Sequence, residues 1–152
     1  MVEKTTNLRF DGSVWCNLDI ALRNMDQVFR RVVRSIDTDL KLTVIEWYIL
    51  RALYETDGQH ASELASAVGR AATSFTPNLD KLQDKGLIER RPDLGDRRAV
   101  RIHLTEAGLA KRNDVLDAAK RLDQEIASMF AHDDFETFLD IVNRLQSVEL
   151  DS

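Results

Sequence analysis

The chain has 152 residues, 43% of them apolar and 31% charged, with a formal net charge of -5 at pH 7. That length supports one ordinary core rather than two independent domains, and no run of about 18 apolar residues is available to span a bilayer. The N-terminal stretch mixes Glu3, Lys4, Arg9 and Asp11 without an apolar core, which argues against a secretory signal, and the single cysteine, Cys16, excludes an internal disulfide, so a cytoplasmic protein is expected.

Helical periodicity opens the chain. Leu18, Leu22, Met25, Phe29, Val32 and Ile36 recur at alternating steps of four and three, the seam of a helix that packs along another helix. A second helix is predicted from Thr43, whose hydroxyl caps it with Glu46 three residues on, while Leu42 and Trp47 are placed as a hydrophobic staple. It is expected to end near Gly58, where the missing Cβ suits a left-handed cap.

Between Ala61 and Lys85 two short helical patterns meet at Gly69. Leu64, Ala65 and Val68 form the inner face of the first, and Phe75, Leu79 and Leu82 that of the second. A small residue at 65 and a glycine at 69 suit two helices that cross near a right angle through a tight turn. With Phe75, Leu79 and Leu82 buried, Thr73, Ser74, Pro77, Lys81 and Asp84 fall on the outer face, flanked by Thr76 and Asn78. Short hydroxyls, an amide and a lysine reach base edges and phosphates without filling a major groove, whereas a plain solvated face is richer in Glu, Lys and Gln. Proline is tolerated in a helix's first turn, so Pro77 places the start of this helix at about Thr73 or Ser74.

Gly86 reads as a C-cap, and Leu87 to Arg91 as a strand followed by the turn residues Pro92 to Asp96. Val100, Ile102 and Leu104 alternate with Arg101 and His103 as the returning strand. The hairpin tip carries Arg97 and Arg98, and arginine at such a tip suits a narrow minor groove, where negative potential is greatest. Thr105 is expected to cap a long helix with Val115, Ala119, Leu122, Ile126 and Met129 on one stripe. His132 interrupts it, Asp133 and Glu136 form a second capping box, and Phe135, Phe138, Val142, Leu145 and Val148 line a last helix. So much apolar stripe exceeds what a central module covers, which points to a homodimer.

The acidic average hides a split. From His60 to Thr105 eight basic residues face six acidic ones, while the remainder holds 13 basic and 20 acidic. Positive charge is concentrated where duplex DNA is expected to lie.

Leu42 to Gly108 resembles the MarR family of bacterial transcription regulators. The resemblance is carried by the helix-turn-helix, by Leu82 to Ile88 (LQDKGLI), by Asp96-Arg97-Arg98 in the wing and by Leu104 to Gly108 (LTEAG). It implies a mainly α fold with a small β-hairpin wing: a winged helix-turn-helix at 42–105 and a helical dimerisation lobe from 1–41 and 106–152. It further implies a homodimer that reads a pseudo-palindromic operator and represses until a small-molecule effector relieves it. On the matching positions Arg98 is the minor-groove arginine and Asp96 the acid that supports the wing. Arg97 falls at a variable position, and its role rests on its charge and place. The sequence departs from the pattern at His60, where a capping Thr or Ser is usual, and at Pro77, where a long or basic residue is common.

Trp15, Phe29, Trp47 and Tyr48 are candidates to line an aromatic or lipophilic effector pocket, against the commoner fate of core packing. Cys16, near the start of the first helix, lies where the hydroperoxide-sensing branch of the family keeps a reactive cysteine. A peroxide sensor is therefore one alternative reading, although the tyrosines of that branch have no clear match in Tyr48 and Tyr54. A winged helix used only for protein contacts is another. His60, His103 and His132 show no metal-ligand spacing with Cys16, and no phosphate loop or nucleophile elbow is present, so neither a metal, a cofactor nor an enzyme activity is expected.

Overall fold

The computed structural model describes residues 13–36 and 41–148. The stretch read above through Glu3, Lys4, Arg9 and Asp11 lies outside the described residues, as does the side chain of Ile36. In chain order the elements are α1 (Val14–Ile36), α2 (Val44–Glu55), β1 (Gln59–His60), α3 (Ala61–Ala67), α4 (Ala72–Asp84), β2 (Ile88–Pro92), β3 (Val100–Leu104), α5 (Glu106–Ala110), α6 (Arg112–Ala127) and α7 (His132–Gln146). They fall into two compact units, Met1–Ala118 and Ala119–Ser152.

The core of the first unit is set by the expected inner faces. Leu64 on α3, Phe75, Leu79 and Leu82 on α4, and Ile49, Leu50 and Leu53 on α2 are at most 2% exposed, and Leu87, Ile88 and Ile102 bring the sheet to the same core. Each such side chain contributes about 1.5–3 kcal/mol of burial. The sheet is antiparallel in the order β1-β3-β2, with Arg90 opposite Ile102 and Gln59 opposite Ile102 on the other edge. Gly58, Gly69 and Gly86 adopt φ of 74°, 64° and 72°. At Gly69 this left-handed turn reverses the chain between α3 and α4.

α2 starts as the capping box dictates. Thr43 Oγ1 accepts from the Glu46 amide at 3.3 Å, and Glu46 Oε2 accepts from the Thr43 amide at 3.1 Å. The Glu46 side chain is 1% exposed, and its charge is met at 2.5 Å by the Nζ of Lys85, the C-cap residue of α4. α2 ends at Glu55, with Thr56 as C-cap, and the turn reaches Gly58 two residues later.

Two helix boundaries after the hairpin differ from the expectation. Thr105 does cap a helix, its Oγ1 accepting from Gly108 N at 3.0 Å, but that helix is the five-residue α5, and α6 begins afresh at Arg112. The Gly108 carbonyl, which a continuous helix directs to the amide four residues on, instead accepts from Tyr54 Oη at 2.7 Å and Lys111 N at 3.3 Å. A tertiary partner thus takes the carbonyl that would carry the helix through. At α7 the Asp133–Glu136 box is replaced by a start two residues earlier, with Ala131 as N-cap, and Asp133 and Asp134 lie in the first turn, where the helix dipole favours them.

The Tyr54 phenol is pushed up to about 12 by burial, which Arg112 partly offsets and Asp114 reinforces. The folded chain therefore holds this proton more tightly than the unfolded one. Its contribution is complete below pH 10 and is lost as pH rises from 10 toward about 12. Thermal melts across that window should show an alkaline loss of stability that is smaller in Tyr54→Phe, and an equal loss in both proteins would count against it.

In the second unit Phe130 stacks on Phe138 with ring centroids 5.0 Å apart, and Phe135 completes the cluster. No residue of α7 is buried, and Leu139, Ile141, Leu145 and Val148 are about half exposed. No helix among the described residues is long and apolar enough to cross a membrane.

Candidate nucleic-acid interface

α4 presents the face that its buried residues leave over. Thr73, Ser74, Thr76, Pro77 and Lys81 are exposed and Asn78 is partly so. Two of these side chains are engaged by the helix itself: Ser74 Oγ donates to Ala71 O at 3.0 Å, and Asn78 Nδ2 donates to Ser74 O at 3.0 Å. Each keeps an outward acceptor, the Ser74 hydroxyl oxygen and the Asn78 amide oxygen. The helix begins at Ala72, not at Thr73 or Ser74, so Pro77 is its sixth residue and lies beyond the first turn. Thr73 and Pro77 both face solvent, so water reaches the carbonyl that proline cannot serve.

Four side-chain links, made by Lys85 and Arg90, hold this helix. At its C-terminal end Lys85 pairs with Glu46 and also donates to Lys41 O at 3.3 Å. Along its flank the Arg90 guanidinium of β2 donates to Asp80 Oδ1 at 2.6 Å and to Gln83 Oε1 at 2.5 Å. The fork geometry of arginine suits such a two-point clamp, which joins the helix to the hairpin strand.

The wing is closed at its base by Asp93 N donating to Ala99 O at 3.0 Å. Asp96 supports the tip through its backbone neighbours: Oδ1 accepts from Arg98 N at 2.9 Å and its carbonyl accepts from Ala99 N at 2.9 Å. Arg97 and Arg98 are exposed, and among the described residues no carboxylate pairs with either. The residue that gathers the hairpin is Asp93, which the sequence reading had taken only as a turn former. Its Oδ1 accepts from Gly95 N at 2.8 Å, and its Oδ2 accepts from Arg101 Nε at 2.8 Å and faces His60 Nε2 at 3.1 Å. Its carboxyl is held below the usual carboxylate range first by the Gly95 amide, against the desolvation that raises it, with Arg101 and His60 adding to the lowering. Three donors from three elements make the anion the favoured form.

The effector candidates separate. Phe29 and Trp47 are buried and meet edge to face at 5.2 Å, Tyr48 meets Trp47 at 5.5 Å, and the Arg51 guanidinium lies 5.3 Å from the Trp47 ring. Trp15 is 74% exposed and stands 14 residues before Phe29 on α1, roughly 21 Å along the axis, so it does not join that cluster. A cavity of about 630 Å³ opens instead where α1 ends and α2 begins, lined by Arg30, Arg34 and Lys41 with Val33, Leu42, Thr43 and Val44. Cys16 is a partly exposed free thiol in the first turn of α1. Among the described residues no group of three or more His, Cys, Asp or Glu side chains is placed to hold a metal.

The helix pair, with its clamped second helix, and the basic hairpin tip lie within residues 42–100, which match the model of the MarR family. That segment is a MarR-family winged helix. Solved structures extend the likeness across the MarR segment and its flanking helices. A probable transcriptional regulator from Pseudomonas aeruginosa is 24% identical with a TM-score of 0.76, covering 90% of this chain and 99% of its own. BpsR from Bordetella bronchiseptica is 18% identical with a TM-score of 0.77, covering 92% and 97%, and its DNA binding is regulated by 6-hydroxynicotinic acid. A MarR variant from E. coli, complexed with operator DNA, is 22% identical with a TM-score of 0.72, covering 84% and 92%. At such identities what is shared is the fold.

Proposed function

We propose that the chain is a transcription regulator of the MarR type, a homodimeric repressor that binds a pseudo-palindromic duplex with α4 in the major groove and the wing tip in the minor groove. The observation that carries the reading is the union of an exposed, small and polar α4 face with a braced hairpin whose Arg97 and Arg98 are exposed and, among the described residues, meet no carboxylate. Thr73, Ser74, Thr76, Pro77 and Asn78 are the groove-facing set, Lys81 is a phosphate contact, and Asp96 supports Arg98. The E. coli MarR variant of the same fold, complexed with operator DNA, supports it. Residues 42–105 form the reading lobe, and 1–41 with 106–152 form the dimerisation lobe. Val14, Trp15 and Leu22 on α1 and the half-exposed apolar residues of α7 need cover that a second copy supplies.

The repressor is relieved by a small organic effector. The cavity at the α1–α2 junction sets guanidinium and ammonium groups beside apolar side chains, a lining that fits an aromatic acid better than a neutral lipophile.

The test is selection of a duplex from a random-sequence pool, followed by its affinity and stoichiometry. Two chains per half-site pair are expected. Arg98→Ala should weaken binding by about 1–3 kcal/mol without altering the melting temperature. Unchanged affinity of Arg98→Ala at physiological salt would remove the wing from the reading, and a pool that yields no preferred duplex would remove sequence-specific binding.

A further inference from the structure

α3 opens on a residue poorly suited to opening a helix. N-cap positions favour Ser, Thr, Asp and Asn, whose short side chains reach back to the first amides, yet the N-cap here is His60. The Glu63 carboxylate carries one half of a cap, its Oε2 accepting from His60 N at 2.8 Å. The imidazole is engaged elsewhere. Its Nε2 lies 3.1 Å from Asp93 Oδ2 and its Nδ1 3.3 Å from Val100 O, so both ring nitrogens face acceptors on the hairpin. The side chains involved are partly withdrawn from water, His60 being 27% and Asp93 13% exposed. The same Asp93 oxygen takes Arg101 Nε, and Arg101 Nη1 donates to Gly58 O at 2.8 Å, just before β1.

We propose that His60 is a positioning residue for the wing. Through the Asp93 carboxylate and the Val100 carbonyl its ring ties the base of the hairpin to the first helix of the helix-turn-helix, and so sets where Arg97 and Arg98 stand relative to α4. A two-residue strand, β1, supplies only Gln59 and His60 to this junction, and backbone pairing that short leaves the angle of the hairpin to side chains. The hydroxyl of a better cap is too short to reach both acceptors. The consequence for DNA rests on the reading proposed above; the mechanical role does not.

Two substitutions separate positioning from capping. His60→Ser improves the cap and removes the ring, whereas His60→Gln retains a long side chain with a donor for Asp93. His60→Ser is expected to melt at or above the wild-type temperature while binding the selected duplex roughly three- to tenfold more weakly, with protection lost from the minor groove under the wing and kept in the major groove. His60→Gln is expected to keep most of both. Hydrogen exchange without DNA gives a second measurement: the Gly95 and Ala99 amides, bonded to Asp93 Oδ1 and Asp96 O, should exchange faster in His60→Ser than in wild type and be restored in His60→Gln. Wild-type exchange at these amides in His60→Ser overturns the positioning role. Faster exchange with no preferred duplex for the wild-type protein upholds that role and overturns the DNA-binding reading alone.

Discussion

Lys85→Met is expected to lower the stability of the fold by about 2–4 kcal/mol, and adding Glu46→Gln to it should recover most of the loss. The Glu46 side chain is 1% exposed, and Lys85 brings the positive charge that faces it, with Oε2 also tied to the Thr43 amide and Oε1 without a hydrogen-bond partner among the described residues. Methionine preserves the packing of the stem and removes the charge, leaving a carboxylate uncompensated in the interior. The range sits below the cost of breaking a wholly buried pair because Lys85 is 27% exposed and water reaches its ammonium. Glutamine still closes the capping box, so the double variant loses a charge pair without stranding either member. Urea midpoints at unchanged slope provide the measurement. A Lys85→Met protein as stable as wild type would show that the pair contributes nothing.

The second large effect falls on a glycine inside a helix. Gly108→Ala is expected to cost about 3 kcal/mol or more, against the gain of roughly 1 kcal/mol that the same exchange brings at an exposed helical position. A Cβ at 108 lands 2.1 Å from Leu87 O and 3.1 Å from Leu87 C, and these are backbone atoms. The Leu87 carbonyl cannot retreat freely, because Thr105 N donates to it at 3.1 Å. The expected result is a melting temperature lowered well beyond that of an alanine elsewhere on the same surface. A neutral or stabilising Gly108→Ala would mean that α5 does not ride directly on the Leu87 backbone.

What the sequence made legible was governed by near neighbours. The Thr43–Glu46 box, the turn at Gly69 and the buried stripe Phe75, Leu79, Leu82 each rest on residues within a turn or two, and each was found where expected. The unexpected features rest on distant partners. Gly108 matched a motif letter, but its reason is a carbonyl 21 positions away. The break after α5 depends on Tyr54, and the weight carried by Asp93 depends on His60 and Arg101, which no periodicity connects. Pro77 misled for a different reason. The rule that confines proline to a first turn weighs the lost hydrogen bond, and at a solvated face water offsets much of that loss.

The charge count was legible only in part as well. Of the eight basic residues from His60 to Thr105, Lys85, Arg90, Arg91 and Arg101 are engaged by carboxylates of the protein itself. Arg70, Lys81, Arg97 and Arg98 are exposed, and among the described residues no carboxylate pairs with them. These four lie in the turn before α4, on its outer face and at the wing tip, while the side chains on α4 proposed to meet bases are short and uncharged. On the proposed reading, grip and discrimination fall to different residues. A lineage carrying this scaffold can exchange Ser74, Thr76 or Asn78 and acquire a new target site without first passing through a form that has let go of DNA.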